Sequence, residues 1–133
     1  MKRALVTGGS GDIGRAICQR LAHDGLYLIV HACDRPERAA EVVAGIRAKG
    51  GSAESVTFDV ADEERTRRIL TKLLETGPIH VVVNNAGIHD DVPMAGMSSA
   101  QWRRVIDVCL HGFFNVTQPL LLPMMATRWG RIV

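Results

Sequence analysis

The chain has 133 residues, 47% of them hydrophobic and 23% charged, with a net charge of +2, which suits one α/β domain with a core of its own. Charges of both signs are mixed along it, so there is no basic field for nucleic acid, and no apolar stretch reads as long enough to span a membrane. The three cysteines, Cys18, Cys33 and Cys109, show no metal-ligand spacing, which predicts reduced thiols, a cytoplasmic protein and no metal site.

Met1-Lys2-Arg3 looks like the start of an export signal, but the apolar run behind it breaks at Thr7-Gly8-Gly9, far too early for one. Ala4-Leu5-Val6 instead reads as a buried parallel strand, followed by a helix that starts near Ile13 and turns Ile13, Ile17 and Leu21 inward. Between them lies Thr7-Gly8-Gly9-Ser10-Gly11-Asp12-Ile13-Gly14. Such a turn suits a dinucleotide: one glycine permits the tight bend, one lets the backbone approach a pyrophosphate, and one lets helix and strand pack closely. The pyrophosphate then rests on the open N–H groups and positive dipole end of the helix. Steric packing alone is the competing explanation for these glycines.

Tyr27 to His31 reads as a second strand, and Pro36 opens a helix with Ala39, Val42, Val43 and Ile46 inward, stopped by Gly50-Gly51. Ser55 to Phe58 is a third strand. Asp62 is the expected N-cap of the next helix, with Glu63 and Glu64 complementing its dipole, Ile69, Leu70, Leu73 and Leu74 lining it, and Gly77-Pro78 ending it. Ile79 to Val83 has the character of a central strand covered on both faces, and it runs into Asn84-Asn85-Ala86-Gly87. Ser98-x-x-Gln101 is a capping-box pattern opening a longer helix with Trp102, Val105, Ile106, Cys109 and Phe113 at helical spacing. Pro119 and Pro123 are expected to kink or divide its end, and Arg131-Ile132-Val133 looks like the opening of a fifth strand. The alternation predicts an α/β fold, a Rossmann-type doubly wound parallel sheet, with residues 1–133 as one dinucleotide-binding domain. The expected sheet is truncated after the start of the fifth strand, and the apolar edge this would leave is the ground for expecting a partial chain.

The loop at 7–14, Asp59-Val60 and Asn84-Asn85-Ala86-Gly87 stand in order at the ends of three parallel strands. On these motifs the chain resembles the short-chain dehydrogenase/reductase family along essentially its whole length, and within it the 3-oxoacyl-acyl-carrier-protein reductases and their close relatives. The resemblance implies that Gly8, Gly9, Ser10, Gly11, Ile13 and Gly14 meet the cofactor phosphates and adjoining ribose. It implies that Asp59 accepts a hydrogen bond from the adenine amino group beside the Val60 backbone, and that Asn85, Ala86 and Gly87 line the ribose and support the sheet. A turn cap is the competing role for Asp59, and a plain turn for residues 84–87. The loop departs from the family's commonest Thr-Gly-x-x-x-Gly-x-Gly because Asp12 stands at a glycine position, while Gly11 fits the Thr-Gly-x-x-Gly-x-x-Gly spacing of longer members. A carboxylate turned inward would repel a pyrophosphate, so Asp12 is expected to face solvent or cap the helix.

The choice between nicotinamide cofactors falls on Ala32-Cys33-Asp34-Arg35. The residue expected to carry a ribose-binding carboxylate is the small Ala32, and Arg35, with Arg38 a turn later, could reach a 2′-phosphate. This favours NADP. NAD stays open, because Asp34 lies about 20 residues past the loop, and Arg35 also reads as a plain surface charge.

Carbonyl reduction in the family uses a serine after the fifth strand and a Tyr-x-x-x-Lys pair on the next helix, because hydride arrival creates an alkoxide that must be stabilised and protonated. Neither occurs within the 133 residues; Tyr27 begins the second strand and has no lysine four positions on. The relay asparagine of the family corresponds to Cys109, a poor substitute for an amide, so no catalytic residue is assigned. Cys109 reads as a buried packing residue, since His111 two positions away cannot face it on a helix, and Asn115 as a cap or packing group. Arg103-Arg104, Arg128 and Arg131 are candidates for a basic patch meeting an acyl carrier protein. The long helix, with Trp102, Phe113, Phe114 and Met124-Met125, is a candidate subunit contact. The expected protein is an NAD(P)-dependent oxidoreductase reducing a 3-oxoacyl thioester with NADPH, this chain carrying the cofactor-binding part. The alternative is a catalytically inactive dinucleotide-binding or assembly module.

Overall fold

The computed structural model describes residues 1–133. Five strands, β1 (Arg3–Val6), β2 (Tyr27–Ala32), β3 (Ala53–Thr57), β4 (Val81–Val83) and β5 (Arg131–Ile132), form one sheet in the order β3-β2-β1-β4-β5. Every neighbouring pair is parallel. The helices are α1 (Asp12–His23), α2 (Pro36–Ala48), α3 (Glu63–Leu74), α4 (Ser99–Ile106) and α5 (Gly112–Ala126), with a π-helical turn at Asp107–His111 joining the last two. This is the doubly wound α/β architecture the alternation predicts.

Each strand serves two cores because successive side chains point to opposite faces. Ala4, Val6, Leu28, Val30 and Ala32 pack with Cys18 of α1 and with Ala39, Val42, Val43 and Ile46 of α2. Leu5, Ile29 and Val82 face the other way, onto Phe58, Leu70 of α3 and Val116, Leu120 and Met124 of α5. Local caps agree with the sequence. Pro36 stands in the first turn of α2, Asp62 accepts the Arg65 N–H at 3.0 Å, and Ser98 and Gln101 exchange backbone-to-side-chain bonds of 3.1 and 2.9 Å in a full capping box.

Several expectations are corrected. β2 extends to Ala32 and β3 begins at Ala53, because pairing of Leu28 with Ala53 through Ala32 with Thr57 sets their ends; Phe58 leaves the ladder and is buried between sheet and helices. β4 starts at Val81 rather than Ile79. Ile13 is 72% exposed: with α1 starting at Asp12, the inward positions are Gly14, Ile17, Cys18 and Leu21, and Ile13 stands on the first turn above the sheet. Pro119 and Pro123 lie inside an unbroken α5. Being four residues apart they forfeit hydrogen bonds along one face only, and burial of Asn115, Val116, Thr117, Leu120 and Met124 holds the remainder.

Residues Ser99–Ala126 form one continuous helical run of 28 residues holding an 18-residue window of mean hydropathy 1.3, so a stretch long and apolar enough to cross a membrane does exist. In the fold, Val108, Val116, Leu120 and Met124 of this run cover the sheet. Its Trp102, Phe113, Phe114 and Met125 are exposed, whereas Met124 is core. The arginines do not form one patch. Arg131 is level with Val81 at the start of β5, the edge of the sheet opposite the glycine loop, while Arg104 reaches Asp59 beyond the end of β3.

Candidate functional site

In an open parallel sheet a ligand binds outside the C-terminal strand ends, where neighbouring crossovers leave in opposite directions. Here that point lies between β1 and β4, since the chain steps outward from β1 to β2 and β3 on one side and to β4 and β5 on the other. The three sequence motifs meet there.

The glycine loop folds tightly from β1 into α1. Gly8 has φ +62°, a left-handed conformation that side chains resist. Its carbonyl accepts the Gly11 N–H at 3.1 Å. A Cβ on Gly14 would collide with the Gly8 carbonyl, so the first turn of α1 can lie against the loop only with glycine there. Gly11 is the N-cap, and the N–H groups of Asp12, Ile13 and Gly14 have no backbone partner, leaving the positive end of the helix open at the sheet edge. Asp12 is exposed and makes no cap, so of its two expected orientations the solvent-facing one is observed.

Thr7 ties the two sides of the switch point together. Its hydroxyl accepts the N–H groups of Asn85 and Ala86 at 3.0 and 2.9 Å and donates to the Val83 carbonyl at 3.3 Å. The Asn85 amide returns across the gap, donating to the carbonyls of Thr7 and Gly8 at 3.1 and 3.2 Å. Asn84 lies one position nearer the strand and donates to the Thr117 hydroxyl of α5 at 3.1 Å. Residues 84–87 therefore do more than turn the chain, because the amides of Asn85 and Ala86 hold the glycine loop.

At the end of β3, Asp59 is already engaged on both carboxylate oxygens. One accepts the Ala61 N–H at 2.9 Å, and the other meets the Arg104 guanidinium of α4 at 3.3 Å. The turn-cap role is thus present, on a carboxylate that still stands half-exposed at the ligand edge. Val60 is buried, and its carbonyl accepts from Asn115 of α5 at 2.8 Å; Asn115 packs, as its position on the helix suggests.

Ala32 is buried inside β2, so it cannot be the residue that meets a ribose. The chain emerges at Cys33, Asp34 and Arg35, all exposed, with Arg35 as the N-cap residue of α2. The Cys33 thiol is held above its usual pKa by burial of its sulfur side and by the nearby charges of Asp59 and Asp34. Cys18 under the loop is pushed up to about 12 by burial and is chemically inert.

On the β4 side the π turn changes the expectation for Cys109. One extra residue in the turn swings it out of the core, where Val108 takes the buried place, so Cys109 is exposed instead of buried. Its thiol donates to the Ile88 carbonyl at 3.5 Å, and Gly87 lies beside its sulfur. Thr7, Val60, Ala86, Val108, Cys109 and Phe113 line a cavity of about 280 Å³ at this end of the edge. His111 bonds Asp107 at 2.9 Å and takes no part in it.

The donor set fits a dinucleotide: open helix N–H groups and a glycine cradle for a pyrophosphate, half-exposed carboxylate and amide groups on either side for the rest. Tyr27 starts β2 at the opposite edge, beside Arg3, away from this site. Thr7, His31, Arg104 and Asn115 belong to the frame of this site, and the sequence did not reveal the pairings they make there. Their partners lie 78, 23, 45 and 55 positions away, distances over which no local pattern signals a pairing.

Known proteins share this arrangement. The family described as short chain dehydrogenase matches residues 2–133. Nodulation protein G of Azospirillum brasilense is 40% identical over 133 residues, 99% of this chain and 54% of that protein. Acetoacetyl-CoA reductase of Cupriavidus necator is 40% identical over 131 residues, covering 98% and 53% respectively. A gluconate 5-dehydrogenase from Burkholderia cenocepacia, solved in complex with NADP and tartrate, superposes with a TM-score of 0.91 at 32% identity, over 98% of this chain and 51% of that one. The chain thus spans about half the length of the proteins it matches. With the family match running from residue 2 to 133 and the fold agreeing, the chain belongs to the short chain dehydrogenase family.

Proposed function

We propose that these residues bind the adenine, ribose and phosphate parts of a nicotinamide dinucleotide, NADP in preference to NAD, as the cofactor-binding part of an oxidoreductase acting on a 3-oxoacyl thioester. The observation that carries the reading is the meeting of the glycine loop, Asp59 and Asn85 at one edge, with the α1 N–H groups open. In the reading, Gly8 to Gly14 take the pyrophosphate, Asp59 and the Val60 backbone the adenine, and Asn85, Ala86 and Gly87 the ribose. Arg35 carries no ion pair and is free for a 2′-phosphate, which favours NADP; exposed Asp34 beside it is what would favour NAD. The bound nicotinamide supplies hydride. The thioester substrate rests on likeness to acetoacetyl-CoA reductase and to the 3-oxoacyl-acyl-carrier-protein reductase of Staphylococcus aureus, which is 37% identical over 133 residues.

Exposed Phe113, Phe114, Leu122 and Met125 on the long helix support a subunit contact there, and the three unpaired cysteines fit the cytosol. Calorimetric titration with NADPH and NADH tests the cofactor. Saturable NADPH binding, tighter than NADH and weakened by Arg35→Ala, is expected; NADH binding alone would reverse the cofactor preference. Acetoacetyl thioester reduction by the 133 residues alone is expected to be undetectable, and turnover would show that the proton comes from a group other than the family's tyrosine.

A further inference from the structure

His31 is buried at the C-terminal end of β2, and the cofactor reading gives it no task. Its Nδ1 accepts the Gly8 N–H at 3.0 Å, and its Nε2 lies 2.7 Å from the Phe58 carbonyl oxygen. The ring packs against Phe58 at 4.2 Å between centroids. A backbone N–H only donates and a carbonyl only accepts, so these two partners require bare Nδ1 and protonated Nε2, a single neutral tautomer. Burial lowers the imidazole pKa; the Phe58 carbonyl and the Asp59 charge pull the other way. Asp59 is in turn met by Arg104 from α4, while β1 meets the ring through the Gly8 backbone.

The Gly8 N–H belongs to the peptide joining Thr7 and Gly8, whose carbonyl accepts from Asn85 at 3.1 Å. One peptide plane is therefore held from both sides, by β4 through Asn85 and by β2 through His31. It is the plane that sends Gly8 into its left-handed conformation and so sets where the following N–H groups point. We propose that His31 is a positioning residue for the phosphate cradle, acting through the Gly8 N–H, and that its second bond to Phe58 fixes the cradle relative to the Asp59 side of the site. The proposal rests on the dinucleotide reading above.

Two substitutions separate the two bonds. In His31→Asn the amide oxygen falls near the Nδ1 position and keeps the acceptor for Gly8; in His31→Gln the amide nitrogen falls near the Nε2 position and keeps the donor for Phe58. Each loses one buried hydrogen bond, so their melting temperatures are expected to drop alike. Dinucleotide titration is expected to leave H31N within about threefold of the unmodified chain and to weaken H31Q by about tenfold or more, the equivalent of one buried hydrogen bond. Equal affinities for H31N and H31Q overturn the proposal while the site reading stands. Should the unmodified chain bind neither dinucleotide, the site reading falls, and amide exchange at Gly8 decides the role of His31: protection kept in H31N and lost in H31Q upholds the clamp, and equal protection overturns it.

Discussion

The two sides of the switch point are built differently. On the β1–β2–β3 side the site is held by buried, fully paired groups: Gly8 to His31, His31 to Phe58, and the close approach of Gly14 to the loop. On the β4–β5 side the frame opens outward. Cys109 is exposed on a π turn, and apolar side chains of α4 and α5 face solvent. For the glycine loop to hold phosphates as proposed, rigidity beforehand is an advantage, because ordering a loop on binding costs affinity.

Substitutions can break this contrast in graded steps. Gly14→Val drives a side chain into the Gly8 carbonyl, and dinucleotide affinity measured by calorimetry is expected to fall on the order of a hundredfold. Leu120→Ala, which empties part of the α5 core, should cost about 2–5 kcal/mol in denaturant unfolding. Thr7→Val leaves the Asn85 and Ala86 N–H groups without their acceptor and should cost about 1–3 kcal/mol, with weakened binding as a companion effect. Acid separates the sides next. The folded His31 pKa lies below its unfolded value, so the unfolded chain takes up the proton first and stability falls as pH drops below about 6.5. His80, lowered by burial and by Lys2, acts in the same direction, so H31N should flatten the acid slope of the melting temperature only in part. Leu122→Ser on the exposed face should change stability by no more than about 0.5 kcal/mol, yet lower self-association in sedimentation if that face meets a second subunit.

Much of the rigid side was legible in the sequence because it depends on local rules. Glycine spacing placed the tight loop between β1 and α1, Pro36 and Asp62 placed helix starts, and apolar runs placed the strands. Reading failed where a distant partner overrode local pattern. Ile13 looked like core because its spacing continued into Ile17 and Leu21, but α1 begins at Asp12 and its first turn leaves Ile13 exposed. Pro119 and Pro123 looked like a break, yet burial of one face of α5 against the sheet outweighs the bonds they lack. Cys109 looked buried because a regular α-helix was assumed through residues 107–111. The Asp59 pair with Arg104 and the Val60 bond to Asn115 could not be read at all, since each joins elements separated by a whole crossover.

The π turn leaves an arithmetic signature in the chain. A turn of this kind behaves as an α-helix carrying one surplus residue, so the surplus at Asp107–His111 offsets the rotation between the helix before it and the helix after it. Removing one residue within that stretch should restore an ordinary helix with both flanks still in phase, Arg104 on Asp59 and Asn115 on Val60, and with the bulge that displays the thiol erased. Removing one residue a turn earlier or later would instead rotate one flank by about 100° and pull those two grips apart. The long helix should therefore tolerate shortening at one place only, and that place is the wall of the cavity.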